Sequence, residues 1–228
     1  MLVVERTKDP AKNLARERLL LRGVDAGELP EVVRFWVDSE CLVRGKAKNP
    51  RYGWYNEKLA EDLGIRVLER STGGGVVYHD LGNLNWSLYL RTGGSFISPT
   101  ALFERASGYV IRSLANLGIR ADFSAPNRID VEGLKVSGMA ARSTRRTSLV
   151  HGTLLLNTDL GMLNRLCIPP PGCPPVENLS SWERGISAAK VVDVLTEVLQ
   201  SSGFQVTRKS STRHLVAPHK GPEEANRG

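Results

Sequence analysis

Residues 70–80 combine the side chains and the backbone freedom that binding of a phosphate-bearing or carboxylate-bearing ligand requires. Three consecutive glycines, 73–75, remove every side chain from a stretch of backbone, so its amides can come within hydrogen-bond distance of a ligand. Arg70 supplies a fixed cation before the glycines, and His79 and Asp80 close the segment after a short apolar run. The alternative is a glycine-rich hairpin turn between two strands. The flanking residues favour a backbone cradle for an anion over that turn.

A second block with chemical potential is centred on Lys135, in the run of apolar and small residues 133–140. Burying an ammonium group is costly unless the charge is paired, and the ordinary outcome is a lysine whose amine reaches solvent along its aliphatic stem. Here Ser137, Gly138 and Ala140 leave open space in which a ligand can lie. A lysine that faces this space can bind an α-phosphate and neutralise charge that develops at a carboxyl-phosphate centre.

His151 opens a third block, followed by Gly152, Thr153 and three leucines. A lone histidine at the start of an apolar strand is more often a hydrogen-bonded core residue than a ligand-binding one. The chain contains neither a GxxxxGK[ST] motif nor the GxGxxG spacing of dinucleotide-binding folds. A nucleotide would therefore bind to a strand-flanked glycine loop rather than to a Walker or Rossmann turn.

Composition limits the classes of protein to consider. The chain has 228 residues, of which 41% are hydrophobic and 24% charged, as is usual for a globular protein with one sizeable core. No apolar run reaches membrane-spanning length and the first residues lack the pattern of a cleavable signal, so we expect a cytoplasmic protein with no membrane partner. The three cysteines, Cys41, Cys167 and Cys173, match neither a disulfide framework nor a zinc-binding pattern.

The net charge of +7 raises the question of nucleic-acid binding. Much of the positive charge lies in residues 142–146, which are typical of a solvated hairpin loop, and in residues 208–213, near the terminus. The chain has no zinc finger, no aromatic-rich RNA-binding motif and no helix-turn-helix signal. Nucleic-acid binding is therefore the minor interpretation. A basic surface would equally attract a polyanionic nucleotide or an acidic protein partner.

Helices and strands alternate along the chain in a pattern typical of an α+β domain. The predicted helices are 9–24, 55–63, 99–117, 159–166 and 187–201. The predicted strands are 31–37, 41–44, 66–69, 83–90, 129–131, 135–142 and 149–156, the first two forming a pair around Asp38 and Ser39. This order predicts a mostly antiparallel sheet flanked by helices, within a single catalytic domain over residues 1–206. Residues 207–228 are expected to form a basic, disordered tail, with no accessory C-terminal domain.

Taken together, the three blocks resemble the lipoate–protein ligase family, within the biotin/lipoate ligase superfamily. Residues 70–83 are similar to its R-[ST]-[ST]-GGG-AVYHD-x-GN signature, and residues 135–138 and 151–155 are similar to two further blocks. Residues 9–17 are similar to its DPxxNLAxE opening helix. The resemblance implies the fold of the biotin/lipoate ligase catalytic domain.

Two other segments resemble family motifs with departures. Residues 43–50 are similar to the VxxGxxQNP strand and loop, with Lys48 where glutamine is usual. Residues 127–130 are similar to the N-D-[IL] segment, with an arginine inserted or substituted at position 128.

The resemblance implies a two-step ligation that needs ATP and lipoate as substrates and Mg²⁺ on the phosphates. Lipoate and ATP would give lipoyl-AMP and pyrophosphate, and the acyl group would then pass to a lysine of a lipoyl-domain or H-protein-like carrier. Lys135 would be catalytic, binding the carboxylate and the α-phosphate, and Trp36 and Val43 would line the acyl slot. The residues expected to bind ATP or lipoyl-adenylate are Arg70, Gly73, Gly74, Gly75, Val76, Val77, Tyr78, His79, Asn83, Lys135, Ser137, Gly138 and His151.

Three alternatives stay open beside a self-sufficient ligase. Family members often carry an accessory domain, so this chain can require a separate accessory subunit. Related octanoyltransferases use a cysteine thioester and no ATP, and Cys167 or Cys173 lies in the corresponding region, although the glycine triplet favours the ligase. A non-catalytic acyl-carrier binder is the third alternative. A biotin ligase is disfavoured because its GRGRRG-type loop is absent from the sequence.

Overall fold

The structure, a computed structural model, describes residues 1–46, 53–95, 97–204 and 208–210, the last three by their backbone only. The described helices are α1 (Pro10–Asp25), α2 (Glu57–Asp62), α3 (Pro99–Asn116), α4 (Leu160–Leu166) and α5 (Ala188–Ser201). The described strands are β1 (Leu2–Val4), β2 (Val32–Trp36), β3 (Cys41–Arg44), β4 (Trp54–Tyr55), β5 (Val67–Glu69), β6 (Val76–His79), β7 (Asn83–Arg91), β8 (Asp122–Ser124), β9 (Arg128–Val131), β10 (Leu134–Ser143), β11 (Thr147–Leu155), β12 (Cys167–Ile168) and β13 (Arg208–Ser210).

Side-chain caps determine where the longer helices begin. The Asp9 carboxylate accepts hydrogen bonds from the backbone N–H groups of Ala11 and Lys12, at 3.0 and 3.3 Å, and proline occupies the first turn of α1. Ser98 and Ser187 cap α3 and α5 in the same way. None of the helices in the described ranges is both long and apolar enough to cross a membrane.

An eight-stranded sheet forms the centre of the molecule, in the order β13-β1-β2-β7-β11-β10-β9-β8. Strand β1 pairs in parallel with β2 and β13, and all the other neighbours in this sheet are antiparallel. The prediction of an α+β fold with a mostly antiparallel sheet is thereby confirmed.

The two faces of the central sheet are covered by different helices. Because successive side chains of a strand point to opposite faces, β7 directs Leu84, Trp86, Leu88 and Leu90 into the main hydrophobic core with α3 and α5. On the other face, Tyr89 packs with apolar residues of α1 in a smaller core. Helix α1 covers only one end of that face. The part of the sheet around Asn85 is not covered by α1 and forms one wall of a cavity.

A three-stranded sheet, in the order β5-β3-β6, lies across the cavity from the central sheet. It has its own small core, in which Leu42 and Tyr78 pack against Ala60 of α2 and Leu166 of α4. The sequence pattern predicted that β2 and β3 form one pair of strands. The structure corrects this, because β2 pairs with β1 and β7 whereas β3 pairs with β5 and β6.

The C-terminal end of the described chain also differs from expectation. Residues 208–210 fall in the segment predicted to be a disordered tail, yet their backbone pairs with β1 as strand β13. The physical reason is that β1 would otherwise present an edge of unpaired backbone groups. The domain boundary at residue 206 stays a prediction. Residues 211–228, and the family-like positions 47–50 with Lys48, lie outside the described residues.

Candidate active site

A cavity of about 390 Å³ lies between the two sheets, bounded by α1, the glycine loop and strands β10 and β11. Its walls include ten of the thirteen residues predicted to bind nucleotide or acyl-adenylate: Arg70, Gly73, Gly74, Gly75, Val76, Val77, His79, Lys135, Gly138 and His151. Trp36 and Val43, the predicted residues of the acyl slot, also line it. The three sequence blocks therefore meet in one cavity, although whether they bind these ligands stays a prediction.

Three predicted site residues do not line this cavity. Tyr78 points away from it because β6 alternates, and its hydroxyl donates a 2.6 Å hydrogen bond to Glu40 Oε1. Burial, together with that contact to Glu40, raises the pKa of Tyr78. Asn83 is fully buried and donates through Nδ2 to Asn85 Oδ1 at 3.0 Å. Ser137 is buried in β10, next to a break in the strand register.

The glycine loop is packed backbone against backbone. A Cβ atom at Gly45, just after β3, would lie 2.2 Å from the carbonyl oxygen of Gly74, so no side chain fits there. The N–H of Gly45 donates to the carbonyl of Gly75 at 3.0 Å. Gly74 itself has a φ of +96°, in the region that only glycine adopts readily. The close contact at Gly45 and the positive φ of Gly74 thus fix the path of this loop along β3.

Arg70 holds the loop from inside. Its guanidinium donates to Thr72 Oγ1 at 2.9 Å, to the Val43 carbonyl at 3.0 Å and to the Gly73 carbonyl at 2.8 Å. Only 7% of the residue is exposed. Burial lowers the pKa of Arg70 to about 10, against the opposing effect of Glu17, so the side chain is still protonated at neutral pH. The guanidinium therefore stabilises the loop by hydrogen bonds and contributes positive potential to the cavity.

A line of hydrogen bonds continues from Arg70 into helix α1. Thr72 Oγ1 lies 2.8 Å from His151 Nε2, and His151 Nδ1 lies 2.7 Å from Glu17 Oε2. Because the guanidinium can only donate, each of these contacts has one donor and one acceptor when Thr72 donates to Nε2 and the imidazole Nδ1–H donates to Glu17 Oε2. The other oxygen of Glu17, Oε1, is buried without a hydrogen-bond partner among the described residues. The four residues Arg70, Thr72, His151 and Glu17 form a hydrogen-bonded relay between the glycine loop and α1.

Glu17 is the negative end of the relay and is 1% exposed. Burial raises the pKa of its carboxyl group, but His151, with smaller contributions from Arg34 and Arg70, outweighs burial and lowers the pKa overall. Glu17 and Thr72 were not among the predicted site residues. Both belong to motifs that were recognised, so the signal was present, but their contacts join residues far apart in the chain.

Lys135 is held by its backbone, and its ammonium is not paired with any of the described residues. Its N–H donates to the Pro175 carbonyl at 2.9 Å, its carbonyl accepts from the N–H of Glu177 at 3.0 Å, and it forms a parallel bridge with Val176. A Cβ atom at Gly138 would lie 3.3 Å from its Cε and 3.4 Å from its Nζ. Among the described residues, the Nζ has no carboxylate within 4.0 Å and no hydrogen-bond partner.

His79 is oriented by Asp38. Its Nδ1 lies 2.9 Å from Asp38 Oδ2, which also accepts from Trp36 Nε1 at 3.0 Å, while Asn13 Nδ2 donates to Oδ1 at 2.7 Å. Asp38, Cys41 and His79 place possible metal-ligand atoms within 4.8 Å of one another. Both carboxylate oxygens already accept N–H donors, and burial raises the pKa of Cys41, so this cluster is explained as a hydrogen-bonded support for His79.

Neither candidate nucleophilic cysteine lines the cavity. Cys167 packs beside the small core, and burial raises the pKa of its thiol to about 12 although Lys135 opposes the shift. At neutral pH it is therefore a thiol, whereas the nucleophile of a thioester mechanism is the thiolate. Cys173 lies in the loop after Pro170, to whose carbonyl its N–H donates at 3.2 Å. The geometry disfavours the cysteine-dependent alternative.

Residues 9–200, which include every residue that lines the cavity, match the family described as the lipoyl protein ligase A/B catalytic domain. The chain belongs to this family. The resemblance found in the sequence is thus confirmed. Lipoate-protein ligase LplJ of Bacillus subtilis is 36% identical over 152 residues, which are 67% of this chain and 44% of LplJ. The chain spans less than half the length of the curated relatives it matches.

Solved structures agree with this lipoyl protein ligase fold. A lipoate-protein ligase A bound with ATP is 24% identical with a TM-score of 0.81, over 93% of this chain and 89% of that one. A bi-partite lipoate protein ligase from Thermoplasma acidophilum, solved in a study that includes its E2 lipoyl domain, is 22% identical with a TM-score of 0.79, over 93% of this chain and 87% of that one. At these identities the likeness establishes the fold.

Proposed function

We propose that the chain is an ATP-dependent lipoate–protein ligase, which forms lipoyl-AMP and transfers the lipoyl group to a lysine of a carrier protein. The observation that carries the proposal is the ammonium of Lys135, unpaired among the described residues, in the same cavity as the glycine loop and Arg70. Two cations and a row of backbone amides suit a nucleotide phosphate and a carboxylate, and the apolar walls suit an acyl chain. The name of LplJ and the ATP-bound ligase structure support the same activity.

In the first step, a carboxylate oxygen of lipoate attacks the α-phosphorus of ATP. A new O–P bond forms, the bond to the bridging oxygen breaks, and pyrophosphate leaves with the electron pair. Both reactants are anionic, so the step requires positive charge where they meet. Lys135 supplies it with no competing partner in the described chain, and Arg70 and the loop amides fix the phosphates.

In the second step, the ε-amine of the carrier lysine attacks the acyl carbon. The amide bond forms as the bond between the acyl carbon and the phosphate oxygen breaks, AMP leaves, and the attacking nitrogen loses a proton. Lys135 again stabilises the negative charge on the departing phosphate. No covalent bond to the protein is required, in agreement with the protonated thiol of Cys167.

A magnesium ion is proposed to accompany ATP. Among the described residues that line the cavity, Glu17 alone carries a carboxylate, and it accepts the hydrogen bond from His151. These walls offer no pair of free carboxylates. The ion would therefore be held mainly by phosphate oxygens and water, as Mg²⁺ commonly is in nucleotide sites.

A lipoyl domain or an H-protein-like carrier is the proposed acceptor, and a separate accessory subunit is a proposed partner. The Thermoplasma acidophilum protein is described as a bi-partite ligase studied with its E2 lipoyl domain, which supports both.

The test is mass spectrometry of a lipoyl domain incubated with the protein, lipoate and Mg²⁺, with and without ATP. We expect ATP-dependent addition of one lipoyl group, slowed at least about 100-fold by Lys135→Ala. The double variant Cys167→Ser, Cys173→Ser is the control and should retain the reaction. If the chain alone is inactive, addition of an accessory subunit should restore the modification.

Two results would contradict the ligase. Transfer from an octanoyl carrier without ATP, lost in the cysteine double variant, would establish an acyltransferase instead. Tight binding of an acylated carrier with no pyrophosphate release, with or without an accessory subunit, would leave only a binding protein.

A further inference from the structure

An ion pair on strand β9 lies beside the strand that carries Lys135. The Nε of Arg128 donates to both carboxylate oxygens of Asp130, at 3.2 and 3.0 Å. The side chain of Asp130 is 9% exposed and that of Arg128 is 29% exposed. Arg128 is also the residue at which residues 127–130 depart from the N-D-[IL] segment. The purpose of this pair must therefore be sought in the geometry of this chain.

The pair lies on the same face of the central sheet as the ammonium of Lys135. Ile129, between the two charged residues, points into the main core, so Arg128 and Asp130 point to the opposite face. In the register of β9 and β10, Asp130 is the partner of Lys135, and Arg128 is the partner of Gly138. The Nζ of Lys135 lies close to the position that a Cβ atom of Gly138 would occupy.

This register makes Asp130 the nearest competitor for the ammonium of Lys135. Directly opposite residues of an antiparallel pair have Cβ atoms about 5 Å apart, which a lysine side chain spans easily. Yet no carboxylate in the described part of the chain lies within 4.0 Å of the Nζ. Arg128 contacts both oxygens of Asp130, and a carboxylate whose charge is already compensated attracts a second cation less strongly.

A second carboxylate on this face is farther from Lys135. Asp122 of β8 is the partner of Asp130 on the other side of β9, so it is one strand more distant, and it is exposed. Solvent screens an exposed charge, so Asp122 competes less for the ammonium.

We propose that Arg128 is a positioning residue, which holds the carboxylate of Asp130 away from Lys135 and so keeps the Lys135 ammonium available to an anionic ligand. The inference rests on the proposed function for the identity of that ligand, the carboxylate of lipoate and the α-phosphate of ATP. Without Arg128, Lys135 and Asp130 form an ion pair across β9 and β10, which a ligand has to break before it binds.

Pyrophosphate release by the full chain with lipoate, ATP and Mg²⁺, and with an accessory subunit if one is required, tests this role. Arg128→Met should lower kcat/KM for lipoate at least about tenfold, because Asp130 then pairs with the ammonium. Adding Asp130→Asn removes the competing carboxylate, and this double variant should return to within about threefold of the wild-type value. The matched control adds Asp122→Asn instead and should stay as slow as Arg128→Met.

Two kinetic results would overturn the inference. A wild-type kcat/KM in Arg128→Met would show that Asp130 does not compete for Lys135. Failure of Asp130→Asn to restore the Arg128→Met protein would show that Arg128 acts in another way, for example by contacting the ligand itself. Where Arg128→Met does not fold, Arg128→Gln takes its place, because it keeps a hydrogen-bond donor for Asp130 without the charge, and the same recovery is required.

A crystal structure of the folded Arg128 variant separates this inference from the proposed function. We expect the Nζ of Lys135 within about 4 Å of a carboxylate oxygen of Asp130. If the wild-type protein releases no pyrophosphate with or without an accessory subunit, the proposed function fails, while this contact would still support the role of Arg128. An ammonium that stays unpaired in the variant would overturn the inference and leave the function intact.

Discussion

One hydroxyl group, that of Thr72, joins the cation of the glycine loop to the imidazole of the opposite wall. It accepts from Arg70 Nε at 2.9 Å and lies 2.8 Å from His151 Nε2, and it is almost fully buried. Removing it would leave two polar atoms without partners in a region that excludes water. The hydroxyl therefore stabilises the folded state by more than its small contact area alone would provide.

We expect Thr72→Val to lower the free energy of unfolding by about 2 kcal/mol, because Arg70 Nε and His151 Nε2 lose their shared partner. Thr72→Ser keeps the hydroxyl and loses one methyl group, so it should cost less than about 1 kcal/mol. Urea denaturation of both variants measures the difference. Equal stability of the two variants would show that the relay contributes nothing to folding.

For single residues, the sequence indicates which residue types could bind a ligand, but it does not show which residues they contact. Lys135 could be selected because a cation is unusual in an apolar strand of small residues, and Arg70 because it stands just before three consecutive glycines. Tyr78 was assigned to the ligand through its backbone groups, which stays a prediction, and its side chain packs in the small core.

At the scale of elements, the site depends on how closely the glycine loop approaches β3. A Cβ atom added at position 45 would lie 2.2 Å from the Gly74 carbonyl oxygen, so there is no room for even a methyl group. A Cβ at Gly73, in the glycine loop, would meet nothing within 4 Å. Gly45, after β3, and Gly73, in the glycine loop, thus carry different constraints although both are glycines.

Gly45→Ala should destabilise the protein by about 3 kcal/mol, since a backbone carbonyl cannot move aside as a flexible side chain can. Gly73→Ala is the matched control and should change the free energy of unfolding by less than about 1 kcal/mol. Thermal denaturation of the two variants, followed by circular dichroism, compares them directly. A Gly45→Ala protein as stable as Gly73→Ala would mean that the loop does not pack on β3 as described.

Several elements were predicted close to their observed bounds, whereas most strands of two or three residues were missed. The predicted strand 41–44 has the bounds of β3, and α3 ends within one residue of its predicted end. By contrast, β1, β4 and β12 have only two or three residues, too few for a hydrophobic period to be read. Their positions are set by pairing with distant strands, which local sequence does not encode.

For the whole molecule, the buried carboxylate of Glu17 links folding to pH. Its pKa is lowered from the ordinary value of 4.5, so the unfolded chain binds a proton more readily than the folded one in acid. The stabilisation from Glu17 is fully present above about pH 4.5 and is lost as the pH falls through the lower, folded-state pKa.

Denaturation midpoints at pH 7 and below pH 4.5 should therefore differ more for the wild-type protein than for Glu17→Gln, which cannot ionise. The variant should also be less stable at pH 7, because the hydrogen bond to His151 loses its charge. Glu197→Gln, at an exposed position on α5, is the control and should keep the wild-type pH dependence. An unchanged pH dependence in Glu17→Gln would contradict the assignment.

The cavity separates hydrophobic clusters that belong to different layers, the main core and the α1 core on the central sheet and the small core on the three-stranded sheet. A molecule that fills it adds contacts between layers that also meet through the relay and the glycine loop. Because such a ligand binds only the folded chain, it raises the free energy of unfolding, by an amount that grows with the logarithm of the ligand concentration. A ligand bound in this cavity would fill space between the cores as protein side chains do. The melting temperature would therefore rise with the concentration of the ligand.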